Sequence, residues 1–74
     1  MTGRGKQPAV TFSARLLTLR KARGLTLRDL ETASGIERGT INRIERGVAN
    51  PRLGSVQALA AALNVSLSEL FKGL

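Results

Sequence analysis

A glycine between two short amphipathic segments constrains the fold of this chain more than any other feature. Gly35 lies between residues 27–34 and 36–46, in which apolar side chains recur at the spacing of a helix. A residue without a Cβ adopts the left-handed conformation at little cost, so glycine commonly ends a helix and reverses the chain. The sequence therefore predicts two short helices joined by a tight turn.

The two segments differ in the surfaces they are predicted to present. The Thr26 hydroxyl can cap the first helix, and Asp29 is spaced to complete a capping box. In the second segment, Ile41, Ile44 and Val48 predict one apolar stripe. The opposite side of that helix is polar and cationic, and it carries Arg38, Gly39, Asn42, Arg43 and Arg46. We expect this side to face solvent as a positive, hydrogen-bonding surface.

Size and composition exclude several classes of protein. A chain of 74 residues is near the lower limit for a stable apolar core, so one domain is expected in which every helix contributes to the core. The absence of Cys and His removes disulfides, the usual zinc ligands, thiol nucleophiles and the side chain best suited to proton transfer near neutral pH. We therefore expect neither an enzyme nor a bound cofactor.

The net charge favours a polyanionic partner. A formal charge of +7 attracts nucleic acid, anionic lipid or an acidic protein without choosing among them. Two Phe and no Trp or Tyr disfavour recognition of single strands, whose bases stack on aromatic side chains, whereas duplex DNA needs no such stacking. The apolar segments are short and interrupted by charge, and no secretory signal is evident, so we expect a cytoplasmic protein without a membrane span.

The segments on either side of the central pair predict three more helices. Residues 1–10 are expected to form a flexible basic N-terminal arm, and residues 11–74 the folded domain. Thr11 can cap a first helix whose apolar side carries Phe12, Leu16 and Leu19. The Asn50-Pro51 dipeptide predicts a loop before the next helix.

The C-terminal part of the chain predicts the last two of five helices, with no strand anywhere. Residues 53–63 are rich in Ala and Leu and predict a buried helix that Asn64 ends in a left-handed turn. Ser66 and Glu69 form the pattern of a capping box that starts a short final helix. We assign Leu70 to the core, and we regard Phe71 and Leu74 as candidates for an interface.

A set of short motifs occurs in a characteristic order between residues 12 and 71. They are Arg20, the Thr26-to-Leu30 opening, Gly35-Ile36, the pair Ile41 and Ile44, Glu45-Arg46-Gly47, Pro51, and Leu59 to Leu63 before Val65. Each is weak alone, but in this order they resemble the Cro/repressor helix-turn-helix family, also called the xenobiotic-response-element type. The resemblance implies a compact all-α bundle of five helices, in which helices 2 and 3 form the helix-turn-helix and helix 3 lies in the DNA major groove.

The resemblance also implies roles for individual residues. The candidates for base contact are Arg38, Gly39, Asn42 and Arg43; for phosphate contact, Thr26, Arg28, Arg46, Asn50 and Arg52; and for a structural ion pair, Arg20 with Glu45. Arginine suits base reading because its planar fork can donate two hydrogen bonds to O6 and N7 of guanine. The alternative for the helix 3 arginines is a solvated helix face, and for Asn50 and Arg52 it is a polar loop that only aids solubility.

Two positions depart from the family pattern. Leu27 opens the second helix where the family often has a Gln that contacts phosphate, so this contact is not expected here. Glu31 replaces a small residue that lets the two helices approach each other, and a buried carboxylate without a partner would be costly. We therefore expect the Glu31 side chain to extend outward to Arg28 or another cation, and Glu31→Ala to leave the stability unchanged or raised.

These features predict a sequence-specific regulator of transcription that binds double-stranded DNA, acts as a repressor by occupancy, and binds a palindrome as a homodimer. Two alternatives remain open. In the first, the chain is an interaction module such as an antitoxin, whose apolar C-terminal end binds a protein partner while its helix-turn-helix binds the operator. In the second, the chain is the DNA-reading domain of a larger regulator.

Overall fold

A computed structural model describes residues 11–74 and contains five helices and no strand in this range. The helices are α1 (Phe12–Ala22), α2 (Leu27–Ser34), α3 (Arg38–Glu45), α4 (Leu53–Leu63) and α5 (Leu67–Leu70). The predicted all-α, five-helix architecture is therefore confirmed. The predicted arm at residues 1–10 lies outside the described residues.

Side-chain hydroxyls start three of the helices, as the sequence predicts. The oxygens of Thr11, Thr26 and Ser66 accept hydrogen bonds from the first-turn amides at 3.1, 3.0 and 3.0 Å. At α2 the capping box is complete, because the Asp29 carboxylate accepts from the Thr26 amide at 2.9 Å. This backbone bond, together with the bond from the Thr26 side chain, favours the ionised carboxylate and lowers the pKa of Asp29 below its ordinary value.

The capping box predicted for α5 is only half present. The Ser66 hydroxyl caps the helix, but the Glu69 carboxylate accepts from Arg15 of α1 at 3.0 Å instead of reaching back to the Ser66 amide. Arg15 also donates to the Glu69 carbonyl oxygen at 2.8 Å. Glu69 therefore connects α5 to α1, a contact between residues that are far apart in the sequence.

Residues with a positive φ lie at or just after the ends of α2, α3 and α4, and they reverse the direction of the chain there. Gly35 has φ +78° and ends α2, and Asn64 has φ +59° and ends α4, both as predicted. Gly47 also has φ +78°, and its reversal places Val48 outside the helical spacing of Ile41 and Ile44. The predicted burial of Val48 is therefore wrong, since this side chain is 64% exposed.

The core lies between the helices, and each of the five contributes to it. α2 packs on α3 and α4, α1 packs on α3 and α5, and α4 packs on α5. The largest fully buried side chains are Leu16, Leu30, Ile41, Ile44, Leu59, Leu63 and Leu70. Leu27 packs against this core, which is consistent with the loss of a phosphate contact at that position. None of the helices within residues 11–74 is long and apolar enough to cross a membrane.

Candidate nucleic-acid interface

The third helix separates its apolar and cationic residues onto opposite sides. Ile41 and Ile44 are 0% and 1% exposed and pack into the core. The residues predicted to contact bases lie toward solvent: Arg38, Gly39 and Arg43 are exposed, and Asn42 is half-buried. Because the isoleucines hold the inner side of α3, its guanidinium groups are available to a partner.

The turn between α2 and α3 is short and tightly bonded. The Gly35 amide donates to the Glu31 carbonyl oxygen at 2.8 Å, and the Ile36 amide donates to the Ser34 hydroxyl at 3.1 Å. Only residues 35–37 separate the two helices. The angle between α2 and α3 is thus set by the left-handed glycine and by the packing of Leu30, Ile41 and Ile44.

A buried ion pair anchors the C-terminal end of α3. Arg20 of α1 donates to Glu45 twice, from Nε to Oε2 at 2.7 Å and from Nη2 to Oε1 at 3.0 Å. The remaining Nη1 donates to the carbonyl oxygen of Leu25, in the loop between α1 and α2, at 2.8 Å. One guanidinium therefore joins α1, the loop that leads into α2, and the end of α3, as the sequence resemblance implies for the ion pair.

Both charges of this pair are largely buried, so each is stabilised mainly by the other. The side chains of Arg20 and Glu45 are only 12% and 4% exposed. The hydrogen bonds to Glu45 raise the pKa of Arg20 above its ordinary value and outweigh the opposing effect of burial. Removing either partner would leave the other charge poorly solvated, which is far more costly than losing an exposed ion pair.

A second carboxylate contacts the N-terminal end of α3. Glu37, the residue that precedes the helix, makes no side-chain cap. Instead, Oε2 of Glu31 accepts from the Arg38 amide at 3.2 Å, and Oε1 lies 3.9 Å from Nε of the Arg38 guanidinium. Glu31 extends outward to a cation as predicted, and that cation is Arg38. The Glu31 carboxylate also caps α3 across the turn, a contact that the sequence pattern does not predict.

Two residues predicted to read bases are neighbours on the outer side of α3. Nη2 of Arg43 donates to the Thr40 hydroxyl at 3.3 Å. A Cβ built on Gly39 would lie 3.8 Å from Nη1 of Arg43 and would make ordinary van der Waals contact. Gly39 is thus not required by packing within the protein, and its lack of a side chain leaves the α3 backbone open next to the Arg43 guanidinium.

The candidate phosphate contacts lie outside α3 along the chain. Thr26 and Arg28 are exposed at the start of α2, and Arg46 is exposed just after α3. Asn50 and Arg52 are exposed in the loop that leads into α4, where Arg52 precedes the helix without capping it through its side chain. The hydrogen bond that the Thr26 hydroxyl accepts from the Asp29 amide fixes its position at the first turn of α2.

A family model described as Helix-turn-helix matches residues 16–70. The chain belongs to this helix-turn-helix family. The HTH-type transcriptional regulator DdrOP3 of Deinococcus deserti is 37% identical over 60 residues, which cover 81% of this chain and 46% of that protein. The chain therefore spans less than half the length of this relative.

Two solved structures have the same fold over most of this chain. The restriction-modification controller protein C.AhdI from Aeromonas hydrophila matches with a TM-score of 0.79 and 40% identity, covering 81% of this chain and 91% of that chain. A chain of the SinR/SinI protein complex matches with a TM-score of 0.77 and 27% identity, covering 84% of this chain and 61% of that chain. By the family match over residues 16–70, the arrangement of α2 and α3 described above is a helix-turn-helix.

We predict that Arg20→Met destabilises the fold by about 3–5 kcal/mol, because it leaves the buried Glu45 carboxylate without its partner. Urea unfolding followed by circular dichroism measures the loss. Arg15→Met is the matched control, because Arg15 is also an arginine of α1 paired with a glutamate. Its partner Glu69 has a side chain that is 47% exposed, so the loss of stability should be about 1 kcal/mol. Equal losses for the two variants would contradict the structural role assigned to Arg20.

Proposed function

We propose that this chain is a sequence-specific regulator of transcription that binds double-stranded DNA with α3 in the major groove. The observation that carries the proposal is the separation of residues on α3, where Ile41 and Ile44 are fully buried while Arg38 and Arg43 are exposed on the outer side. The helix-turn-helix fold and the regulators named above support the same function.

Base reading is assigned to the first turns of α3. Arg38 and Arg43 each have a guanidinium that can donate two hydrogen bonds to guanine, and each such contact discriminates by about 1–3 kcal/mol against a wrong base pair. Asn42 is the candidate for adenine, and Gly39 allows the helix backbone to approach the base edges closely. We therefore expect the preferred site to contain G·C pairs.

Sequence-independent affinity is assigned to residues around α3. Thr26 and Arg28 lie on one side of it, and Arg46, Asn50 and Arg52 on the other side along the chain. Contacts of these side chains with phosphates release counterions, so this part of the affinity falls steeply as salt rises. The proposed regulator acts by occupancy, as a repressor that blocks other proteins from its site.

A homodimer is the proposed binding form, since two copies on a palindrome double the number of bases read. Half-sites would then lie about 34 Å apart, one turn of the duplex. The C-terminal apolar patch is made of Leu67, Phe71 and Leu74, whose side chains are 38%, 41% and 53% exposed, and it supports an interface there.

A different protein partner is the alternative occupant of this patch. The greater length of DdrOP3 supports a further alternative, in which the chain is the DNA-reading domain of a larger regulator.

Selection of bound sites from random duplexes tests the proposal, and two variants test the division of roles. Arg43→Ala should relax the preference at one base position, by about 1–3 kcal/mol. Arg52→Ala should weaken binding to all duplexes alike. It should also reduce the slope of log K against log salt concentration by about 1. Titrations of each variant at several salt concentrations measure both effects. Equal losses on every sequence for both variants would contradict the assignment of base reading to Arg43.

A second prediction tests whether Gly39 allows a close approach to DNA or only destabilises α3. Gly39→Ala should raise the free energy of unfolding by up to about 1 kcal/mol, because alanine favours the helix and its Cβ fits beside Arg43. The same variant should bind the selected duplex more weakly, because the added methyl group lies between α3 and the bases. Thermal melts and duplex titrations provide the two readings. A more stable variant with unchanged DNA affinity would show that Gly39 does not face the groove closely.

The proposed dimer predicts that Leu74→Glu weakens self-association about tenfold or more, since each dimer loses two apolar contacts and gains two carboxylates at the patch. Sedimentation equilibrium measures the dimer dissociation constant. Leu53→Glu is the matched control, because Leu53 is 69% exposed but lies at the start of α4, outside the C-terminal apolar patch. A wild-type protein that stays monomeric at all concentrations would contradict the proposed dimer.

A further inference from the structure

We infer that Glu31 is a specificity-determining residue: it positions Arg38 for a base and lowers the affinity of the protein for DNA of arbitrary sequence. The inference rests on the proposed function, in which Arg38 contacts DNA. It goes further by assigning a role in DNA discrimination to an acidic residue of α2, outside the helix that reads the bases.

The geometry shows how one carboxylate controls both the backbone and the side chain of Arg38. Oε2 of Glu31 accepts from the Arg38 amide at 3.2 Å, and Oε1 lies 3.9 Å from Nε of the same residue. The carboxylate is thus close to the inner edge of the guanidinium. The two terminal nitrogens, Nη1 and Nη2, remain for the paired acceptors of a guanine. Arg38 can therefore keep its contact with Glu31 while it reads a base.

The charge of Glu31 has the opposite effect on phosphates. The first amides of a helix attract anions, and α3 has no side-chain cap from Glu37. Glu31 accepts from the Arg38 amide and places a negative charge where a DNA phosphate would otherwise bind. Both side chains are partly open to solvent, with 36% exposure for Glu31 and 50% for Arg38, so the carboxylate also repels phosphates that approach α3.

These two effects change specific and non-specific binding unequally. On a matching site, Arg38 gains the guanine contact and Glu31 limits the freedom of its side chain, which lowers the entropy lost on binding. On arbitrary DNA, phosphates supply most of the affinity, so the carboxylate mainly opposes binding. The ratio of specific to non-specific affinity should therefore depend on the Glu31 charge.

The test compares Glu31→Gln with Glu37→Gln on two probes, a random-sequence duplex pool and the duplex that selection recovers with the wild-type protein. Glu31→Gln should raise the affinity for the random pool about twofold to fivefold, the range in which an exposed ion pair contributes. Its affinity for the selected duplex should stay equal or fall, so the ratio falls. Glu37→Gln removes the same charge from an exposed neighbour that does not cap α3, and it should leave the ratio unchanged.

A double-mutant cycle with Arg38→Ala identifies the route of the effect. In the Arg38→Ala background, Glu31→Gln should lower the ratio less than it does in the wild type, because the residue that Glu31 positions is absent and only the effect of its charge on phosphates remains. Glutamine keeps a carbonyl oxygen that can accept from the residue 38 amide, and a thermal melt of each variant verifies that it is folded.

Several results would overturn the inference. An equal change of the ratio for Glu31→Gln and Glu37→Gln would show that net charge alone causes the effect, and an undiminished effect in the Arg38→Ala background would exclude positioning of Arg38. If Arg38→Ala binds both probes as the wild type does, the inference fails while DNA binding by the remaining α3 residues stands. If the wild-type protein binds neither probe, the proposed function itself fails.

Discussion

The buried ion pair between Arg20 and Glu45 is the interaction on which the presentation of α3 depends. A helix of eight residues has little stability alone, and a carboxylate at its C-terminal end opposes the helix dipole. The guanidinium of Arg20 offsets that unfavourable charge and also bonds the carbonyl oxygen of Leu25. The same side chain therefore fixes where α3 ends and how the chain enters α2, so both helices of the helix-turn-helix take their orientation from α1.

The two ends of α3 are held by carboxylates in different environments. Glu45 is almost fully buried and its pair with Arg20 is short, whereas Glu31 lies partly in solvent at a longer distance from Arg38. The buried pair resists any change in helix direction, because separating its charges in the protein interior is costly. The exposed contact is weaker, because solvent screens its charges. α3 is thus rigid where it joins the core and adjustable where it is proposed to meet DNA.

The sequence predicted those features that depend on local chemistry or on a recognised order of motifs. Hydroxyl caps at Thr11 and Thr26 and the left-handed ends at Gly35 and Asn64 follow from the residue itself and its near neighbours. The contacts of Glu31 and Glu69 could not be predicted in the same way, because each pattern leaves open which partner the carboxylate takes. Glu69 matches a capping box but binds Arg15 from a distant helix, so a tertiary contact replaces the local one.

The separation of stability from recognition on α3 follows from the same geometry. Ile41, Ile44 and Glu45 make the contacts that hold the helix in place, and all three are buried. The Arg43 guanidinium donates to the Thr40 hydroxyl on its own helix, and Gly39 leaves open space beside the Arg43 side chain. Exposed substitutions away from caps and buried pairs usually change stability by no more than about 0.5 kcal/mol. The outer residues of α3 can therefore change with little effect on the fold that presents them. Glu31 and Arg38 are the exception, because they combine a cap with the proposed recognition contact.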